Sequence, residues 1–283
     1  MMRRLFVLLL DTVSTEVWSK AVADDARSRG WDVIEGPVAN WPKLTDRCVV
    51  VSDDPDWGII VPPVECAVIM MTPPSIVDGR PNDSEAKEKL ALASARYAKA
   101  AAMLAGGGVR VDSEMTSFTL ADLGNVTRPD YTSRPLKRSP SPLDYFATIP
   151  PPVGAAAVWP AEIMAFPKGS ELDGGKPDMD LTGRARLLFH GPHLYLTPGL
   201  WRVTFQISVD PEGDVPPLRF EWKHGEDMVY CDAPINQSGR YEIRLERRWE
   251  VVGPSQITGW LMQAIFNGRL ELHDCRIEKL ADA

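Results

Sequence analysis

Hydrophobic and polar positions alternate in the C-terminal half of this chain and gather into short apolar blocks in the N-terminal half. The two patterns predict two different architectures. From Trp201 to Val209 the residues Trp201, Val203, Phe205, Ile207 and Val209 alternate with Arg202, Thr204, Gln206 and Ser208, the pattern of a strand with one buried and one wet face. The same period recurs in Leu218, Phe220 and Trp222 against Arg219, Glu221 and Lys223, and in Tyr241, Ile243 and Leu245 against Glu242, Arg244 and Glu246. Asn267-Gly268, between Gly259–Phe266 and Arg269–Leu272, predicts a hairpin turn because both residues tolerate positive φ. From about Val153 onward the pattern predicts an antiparallel β-sandwich of the jelly-roll kind.

In the N-terminal half, Leu5 to Leu10 is a continuous apolar run, short for a helix and typical of a strand buried on both faces. Ser14 or Thr15 can cap a following helix with Glu16 in its first turn, Val17, Trp18, Ala21 and Val22 along one side, and Gly30 as its stop. Trp31–Ile34, Cys48–Val51 and Ala67–Met71 repeat the strand signal. Glu85–Leu104 reads as a long helix closed by Gly106-Gly107-Gly108, and Val109–Val111 as a last strand. Such alternation predicts a small Rossmann-like α/β domain with an open, mostly parallel sheet. The Pro-, Gly- and Asp-rich stretch between Val51 and Ala67 leaves little room for a helix in every crossover. Residues 128–152 are rich in Pro, Ser and basic residues, a linker composition. The expected organisation is therefore an α/β domain over 1–127, a Pro-rich linker over 128–152, and a jelly-roll sandwich over 153–283.

The 283 residues suffice for two domains. Thirty-one basic against 39 acidic residues give a net charge of -8, which repels nucleic acid and anionic lipid. Met1-Met2-Arg3-Arg4 and the apolar run after it imitate a signal peptide, but the run is brief and no small-residue cleavage site follows. No segment has the length of a membrane span. Cys48, Cys66, Cys231 and Cys275 are scattered in or beside apolar runs, as reduced core thiols are, and the cytoplasm is the expected location. No G-x-G-x-x-G after a strand, no G-K-[ST] and no G-x-S-x-G is present, so no cofactor is expected.

The order Gly183, Ala185, Arg186, Gly191, Pro192, Leu194, Leu196, Pro198, Gly199, Trp201, Val203 and Phe205 resembles jelly-roll, carbohydrate-binding-module-like accessory domains that accompany bacterial glycosyltransferases and polysaccharide-biosynthesis proteins. The segment ending in Leu270 and Leu272 is similar to the closing strands of that family. The resemblance implies an association with glycans or their synthesis and supplies no catalytic residues. Physically, Gly191-Pro192 and Pro198-Gly199 read as turns flanking a short edge strand.

Sugar recognition needs aromatic plates and hydroxyl-bonding groups. Tyr195, Trp222, Tyr230 and Trp249 are candidate plates, with Glu221, Asp227, Arg244 and Arg248 as polar partners. Trp222 shares the parity of Leu218 and Phe220, and Trp249 that of Tyr241 and Leu245, which favours core packing for both. His190 and His193, with His224, form an incomplete ligand set, so no metal is expected. Asp11, Asp53, Asp54 and Thr72 follow apolar strands and would meet at the carboxyl edge of a parallel sheet, although capping and turn roles account for them. Ser84-Glu85-Ala86-Lys87 matches S-x-x-K without its companion motifs, and an N-cap explains the serine.

The expectation is a non-catalytic protein that binds glycan or polysaccharide, with a protein of polysaccharide synthesis as a further partner. The competing readings are a glycosyltransferase-like N-terminal enzyme, and a scaffold whose surface aromatics form an interface, including one between copies of the chain.

Overall fold

The computed structural model describes residues 3–9, 15–36, 45, 47–52, 54, 66–70, 84–112, 115–120, 123–127, 140–167, 171–173, 176–213 and 215–283. The chain divides into two compact units: Met1–Ser75, Arg96–Pro140 and Phe146–Pro150 form one, and Ile76–Ala95, Ser141–Tyr145 and Pro151–Ala283 the other.

The first unit is built on five parallel strands, β1 (Arg3–Leu9), β2 (Asp32–Glu35), β3 (Arg47–Ser52), β4 (Cys66–Met70) and β5 (Val109–Asp112). Their order is β2-β3-β1-β4-β5. A doubly wound nucleotide-binding sheet places its second strand beside the first; here β3 takes that place and β2 moves to the edge. The described residues hold two α-helices, so the expected Rossmann-like winding is not evident, although the parallel sheet is present. Five consecutive residues of β3, Cys48 to Ser52, are buried, as in a strand covered on both sides.

Helix α1 (Thr15–Ser28) buries Trp18, Ala21, Val22 and Ala26 on one face. It stops as its sequence predicts: Gly30 takes φ 70°, its N–H donates to Arg27 O at 3.0 Å, and the Trp31 N–H reaches back to Ala26 O at 3.0 Å, a Schellman closure. A hairpin that the apolar blocks did not predict, β6 (Ser117–Leu120) with β7 (Gly124–Thr127), packs Phe118, Leu120 and Val126 into this core, with Phe118 5.2 Å from Trp18 between ring centroids. Its four-residue strands are too short to announce themselves by period.

Helix α2 (Ser84–Ala105) ends in the same way at Gly107, φ 101°. Its N-terminal half clusters with the second unit, not with the first as the sequence boundaries imply. There the Tyr195 N–H donates to Ser94 Oγ at 2.9 Å. Of the expected linker, residues 128–139 lie outside the described set. The rest is structured, because Asp144–Phe146 forms a 3-10 turn with Tyr145 and Phe146 fully buried. Tyr145 packs edge-on to Trp159 and Trp201.

The second unit is an antiparallel β-sandwich. One sheet has the order β15-β12-β17-β10-β9, with β8 also paired to β17: β8 (Ala156–Trp159), β9 (Glu171–Asp173), β10 (Lys176–Asp180), β12 (Gly199–Asp210), β15 (Gly239–Trp249) and β17 (Arg269–Ala281). The other has the order β11-β16-β13-β14: β11 (Arg186–Leu196), β13 (Pro217–His224), β14 (Asp227–Pro234) and β16 (Gly253–Leu261). Trp201, Val203, Phe205, Ile207 and Val209 of β12 are buried between the sheets, facing Leu218, Phe220 and Trp222 of β13, so the alternation predicted the inner face correctly.

Two turn assignments need correction. Asn267-Gly268 does not close a hairpin, because β16 and β17 belong to different sheets and each already has partners on both sides. The segment instead crosses between sheets, tied by Leu181 N–H to Gly268 O at 2.8 Å and by paired bonds of Gly183 with Ile265. Gly191-Pro192 lies inside β11 and is not a turn. The register of β11 against β16 slips just after it, and the missing N–H of Pro192 is tolerated because β11 is an edge strand.

Candidate functional site

Strands β13, β14 and β16 carry the chemistry of one surface. Side chains at 219, 221 and 223, at 228, 230 and 232, and at 256, 258 and 260 share the outer face of the four-stranded sheet, since their neighbours in sequence point into the core or lie at its margin. Register places Trp260, Arg219 and Asp232 in one row, Thr258, Glu221 and Tyr230 in the next, and Gln256, Lys223 and Met228 in a third. On the β11 side, His190 stands opposite Thr258.

The Tyr230 ring is 54% exposed. The Arg219 guanidinium lies 4.5 Å from its centroid and donates two hydrogen bonds to Asp232, from Nε at 2.7 Å and Nη2 at 3.0 Å. Such a fork and stack hold the arginine by geometry as well as charge. The same hydrogen bond holds the Asp232 carboxyl below the usual carboxylate range. Glu221 is fixed from the other side: its Oε2 accepts Thr258 Oγ1 at 2.9 Å and the Trp260 indole N–H at 3.1 Å, and Lys223 Nζ stands 3.9 Å away. Strand spacing puts Trp260 and Tyr230 about 12 Å apart, two strands over and one row along. An exposed ring, a half-exposed indole and two oriented carboxylates can engage a flat ligand with apolar faces and hydroxyl edges.

Other sequence candidates fall elsewhere. Trp222 and Trp249 are buried, with ring centroids 4.7 Å apart, and the Trp222 N–H donates to Ser255 Oγ at 2.7 Å; as core residues they cannot stack on a ligand. Tyr195 is partly exposed in β11, and its carbonyl accepts the Tyr145 hydroxyl at 3.0 Å. Asp227, at the start of β14, pairs with Arg247. Arg244 and Arg248 lie on the outer face of the other sheet, Arg244 bonded to Glu242 at 2.9 Å and Arg248 to Asp282 O at 3.3 Å. That face holds cavities of about 490 Å³, lined by Ser208, Asp210, Arg269 and Glu271, and about 650 Å³, lined by Thr204, Gln206, Arg240 and His273.

The structure therefore brings Glu221 and Tyr230 together as cross-strand partners, buries the two tryptophans, and separates the two arginines. The sequence reading passed over Trp260, Arg219, Asp232 and Thr258. Parity would have found Trp260, which sits in step with the outward Pro254 and Gln256.

Asp11, Asp53 and Thr72 lie outside the described residues. The Asp54 N–H donates to Ser52 Oγ at 3.0 Å directly after β3, a turn contact. His190 and His193 rings are 5.7 Å apart, while His224 bonds Pro254 O at 3.1 Å, and among the described residues no group of three metal-ligating side chains forms. Lys87 donates to Met164 O at 2.5 Å, one residue of the S-x-x-K match directed to a carbonyl.

No family model and no curated protein matches the sequence. Solved structures similar to part of it include carbohydrate-binding modules. The CBM22-1 xylan-binding domain from Paenibacillus barcinonensis has 9% identity and a TM-score of 0.31, covering 46% of this chain and 98% of that one. The xylan-binding module CBM86 from Roseburia intestinalis has 16% identity and a TM-score of 0.31, covering 44% and 96%. The C-terminal CBM6 of a laminarinase from Zobellia galactanivorans has 12% identity and a TM-score of 0.29, covering 44% and 99%.

Proposed function

We propose that this protein binds glycans through the outer face of the β11-β16-β13-β14 sheet of a jelly-roll sandwich. The reading includes a role without chemistry of its own in polysaccharide production, in the cytoplasm, beside a partner from that machinery; the Gly183–Phe205 motif supports the link to that production, and the scattered cysteines the location. The observation that carries the binding proposal is the Tyr230 ring, open to solvent, stacked on Arg219 and flanked by Asp232 and Glu221. A ring fixed before binding loses little freedom on contact with a sugar, and the carboxylates beside it accept hydroxyl hydrogens.

A protein-docking reading is favoured by one feature, the exposure of Met228 next to Tyr230. A glycan array on the full chain, followed by calorimetry, separates the two. Saturable binding that Tyr230→Ala and Trp260→Ala each weaken about tenfold or more, the usual scale for a lost aromatic contact, while Arg244→Ala on the opposite sheet leaves it unchanged, supports the proposal. A folded protein that binds no glycan overturns it.

A further inference from the structure

The β11 side of the same face carries a concentration of positive charge that the Tyr230 surface does not use. Lys87 from α2, His190 and His193 from β11, and Lys223 from β13 converge there. His190 is opposite Thr258 and so shares the outward face with Glu221 and Lys223. Its ring is 5.7 Å from that of His193, and residue 165, next to the carbonyl that Lys87 bonds, pairs with it through the main chain. Lys87 and Lys223 act electrostatically on His190, and His190 and Lys223 on His193. Glu221, in the same row as His190, lies 3.9 Å from Lys223, and its Oε2 already accepts two hydrogen bonds. Nδ1 of His190 is buried and has no hydrogen-bond partner among the described residues.

Two lysine ammoniums beside a buried imidazole nitrogen without a hydrogen-bond partner form an arrangement that an anion would stabilise. The net charge of -8 does not draw anions from a distance, so any selectivity must arise at short range, where screening is weak. A carboxylate, with two acceptor oxygens and no donor, suits an ammonium and an imidazole N–H together. The row His190, Thr258, Glu221, Tyr230 makes this corner continuous with the aromatic surface.

We infer that this corner is a subsite for the anionic substituent of an acidic glycan, a uronate carboxylate, held by Lys87, Lys223 and the His190–His193 pair. The inference rests on the glycan-binding reading and narrows its ligand class. Burial and the neighbouring lysines hold both imidazoles below their ordinary range, so an anion brings protons with it and binds more tightly in mild acid. Lys223 and Glu221 on β13 and Lys87 on α2 are the charged groups beside the pair, and burial lowers the Lys87 ammonium from its ordinary value.

The test is calorimetry on the full chain with oligogalacturonate, hyaluronan and oligomannuronate fragments, each beside its neutral methyl ester, at about pH 7.5 and about pH 5.5, the window in which imidazole titrates. The expected result is at least one uronate bound about tenfold more tightly than its ester, the worth of about one charge-assisted hydrogen bond, with the gap widening at the lower pH. Lys223→Met should narrow the gap, and the double variant His190→Gln, His193→Gln should remove its pH dependence. A sulfated oligosaccharide in the same series tells whether sulfate replaces carboxylate in the subsite. Equal affinity for acid and ester overturns the acidic subsite and leaves glycan binding standing. Absence of binding to every glycan, neutral ones included, overturns both.

Discussion

The Phe189 ring lies across the main chain of Gly259, its cross-strand partner, so closely that a Cβ there would stand 2.3 Å from Phe189 Cε1. The sheet β11-β16-β13-β14 thus keeps its inner face flat at one point by having no side chain. Gly259→Ala should destabilise the sandwich by about 1–3 kcal/mol, the usual cost of overpacking. Urea unfolding followed by tryptophan fluorescence measures it, and Phe189→Leu in the same chain should recover part of the loss.

The Trp222 indole N–H donates to the hydroxyl of Ser255, and both residues are buried. Ser255→Ala should leave that N–H without a partner in the core and cost about 1–3 kcal/mol. Glycan binding by the remaining folded protein should be unchanged, which calorimetry below the transition would show.

Tyr230 and Trp222 should give opposite phenotypes although both were candidate plates. Truncating the exposed Tyr230 should move stability by no more than about 0.5 kcal/mol while weakening binding about tenfold or more. Trp222→Ala should cost about 3–5 kcal/mol, and any loss of binding should follow the loss of fold. A denaturation curve beside each binding isotherm distinguishes them.

Arg247 points inward on β15, only 6% exposed, with its guanidinium 4.6 Å from the Trp249 centroid, whereas its partner Asp227 is 80% exposed. Burial pushes the arginine below its ordinary pKa and the Asp227 carboxylate opposes that shift. Asp227→Ala should cost on the order of 1 kcal/mol, because half of the pair is already in water. Arg247→Met, which removes the buried charge and keeps the volume, should be close to neutral. Unfolding midpoints of the two variants check the asymmetry.

Mild acid should weaken the sandwich through His190 and His193. His190 and His193 have folded-state pKa values depressed mainly by burial, so the folded form favours the neutral rings. Their contribution is present above the unfolded imidazole value of about 6.5 and is lost as pH falls through the depressed values. The midpoint in urea should therefore drop as the pH falls below about 6.5, and His190→Gln with His193→Gln should flatten that drop.

Much of this was legible in the residues, and the failures have physical causes. The strict alternation of Trp201 to Val209 predicted the inner and outer faces of β12, because a two-residue period leaves no freedom once one face is buried. Gly30 stopped α1 as expected because its left-handed conformation closes the helix with two main-chain bonds. Asn267-Gly268 misled because turn chemistry is local, while the choice between a hairpin and a crossing to the opposite sheet depends on which strand edges are already occupied. Trp222 was weighed as a plate because it is large, but parity alone decided its place. Trp260 went unread although the same rule, applied to Gln256 and Thr258, puts it outside. The pairing of Tyr230 with Glu221 needed the β13–β14 register, which no single strand reveals.

Strand β11 forms one edge of its sheet, with Pro192 in its interior and a slip in register beside it. An edge strand with a full row of free N–H and C=O groups invites another chain to add itself by the same hydrogen bonds. Here the proline removes a donor midway and the slip breaks the even spacing that an incoming strand would need. The other edge, β14, ends in Pro234 and carries exposed Asp227 and Asp232. Both margins of the four-stranded sheet are therefore ill suited to edge-to-edge growth from copy to copy.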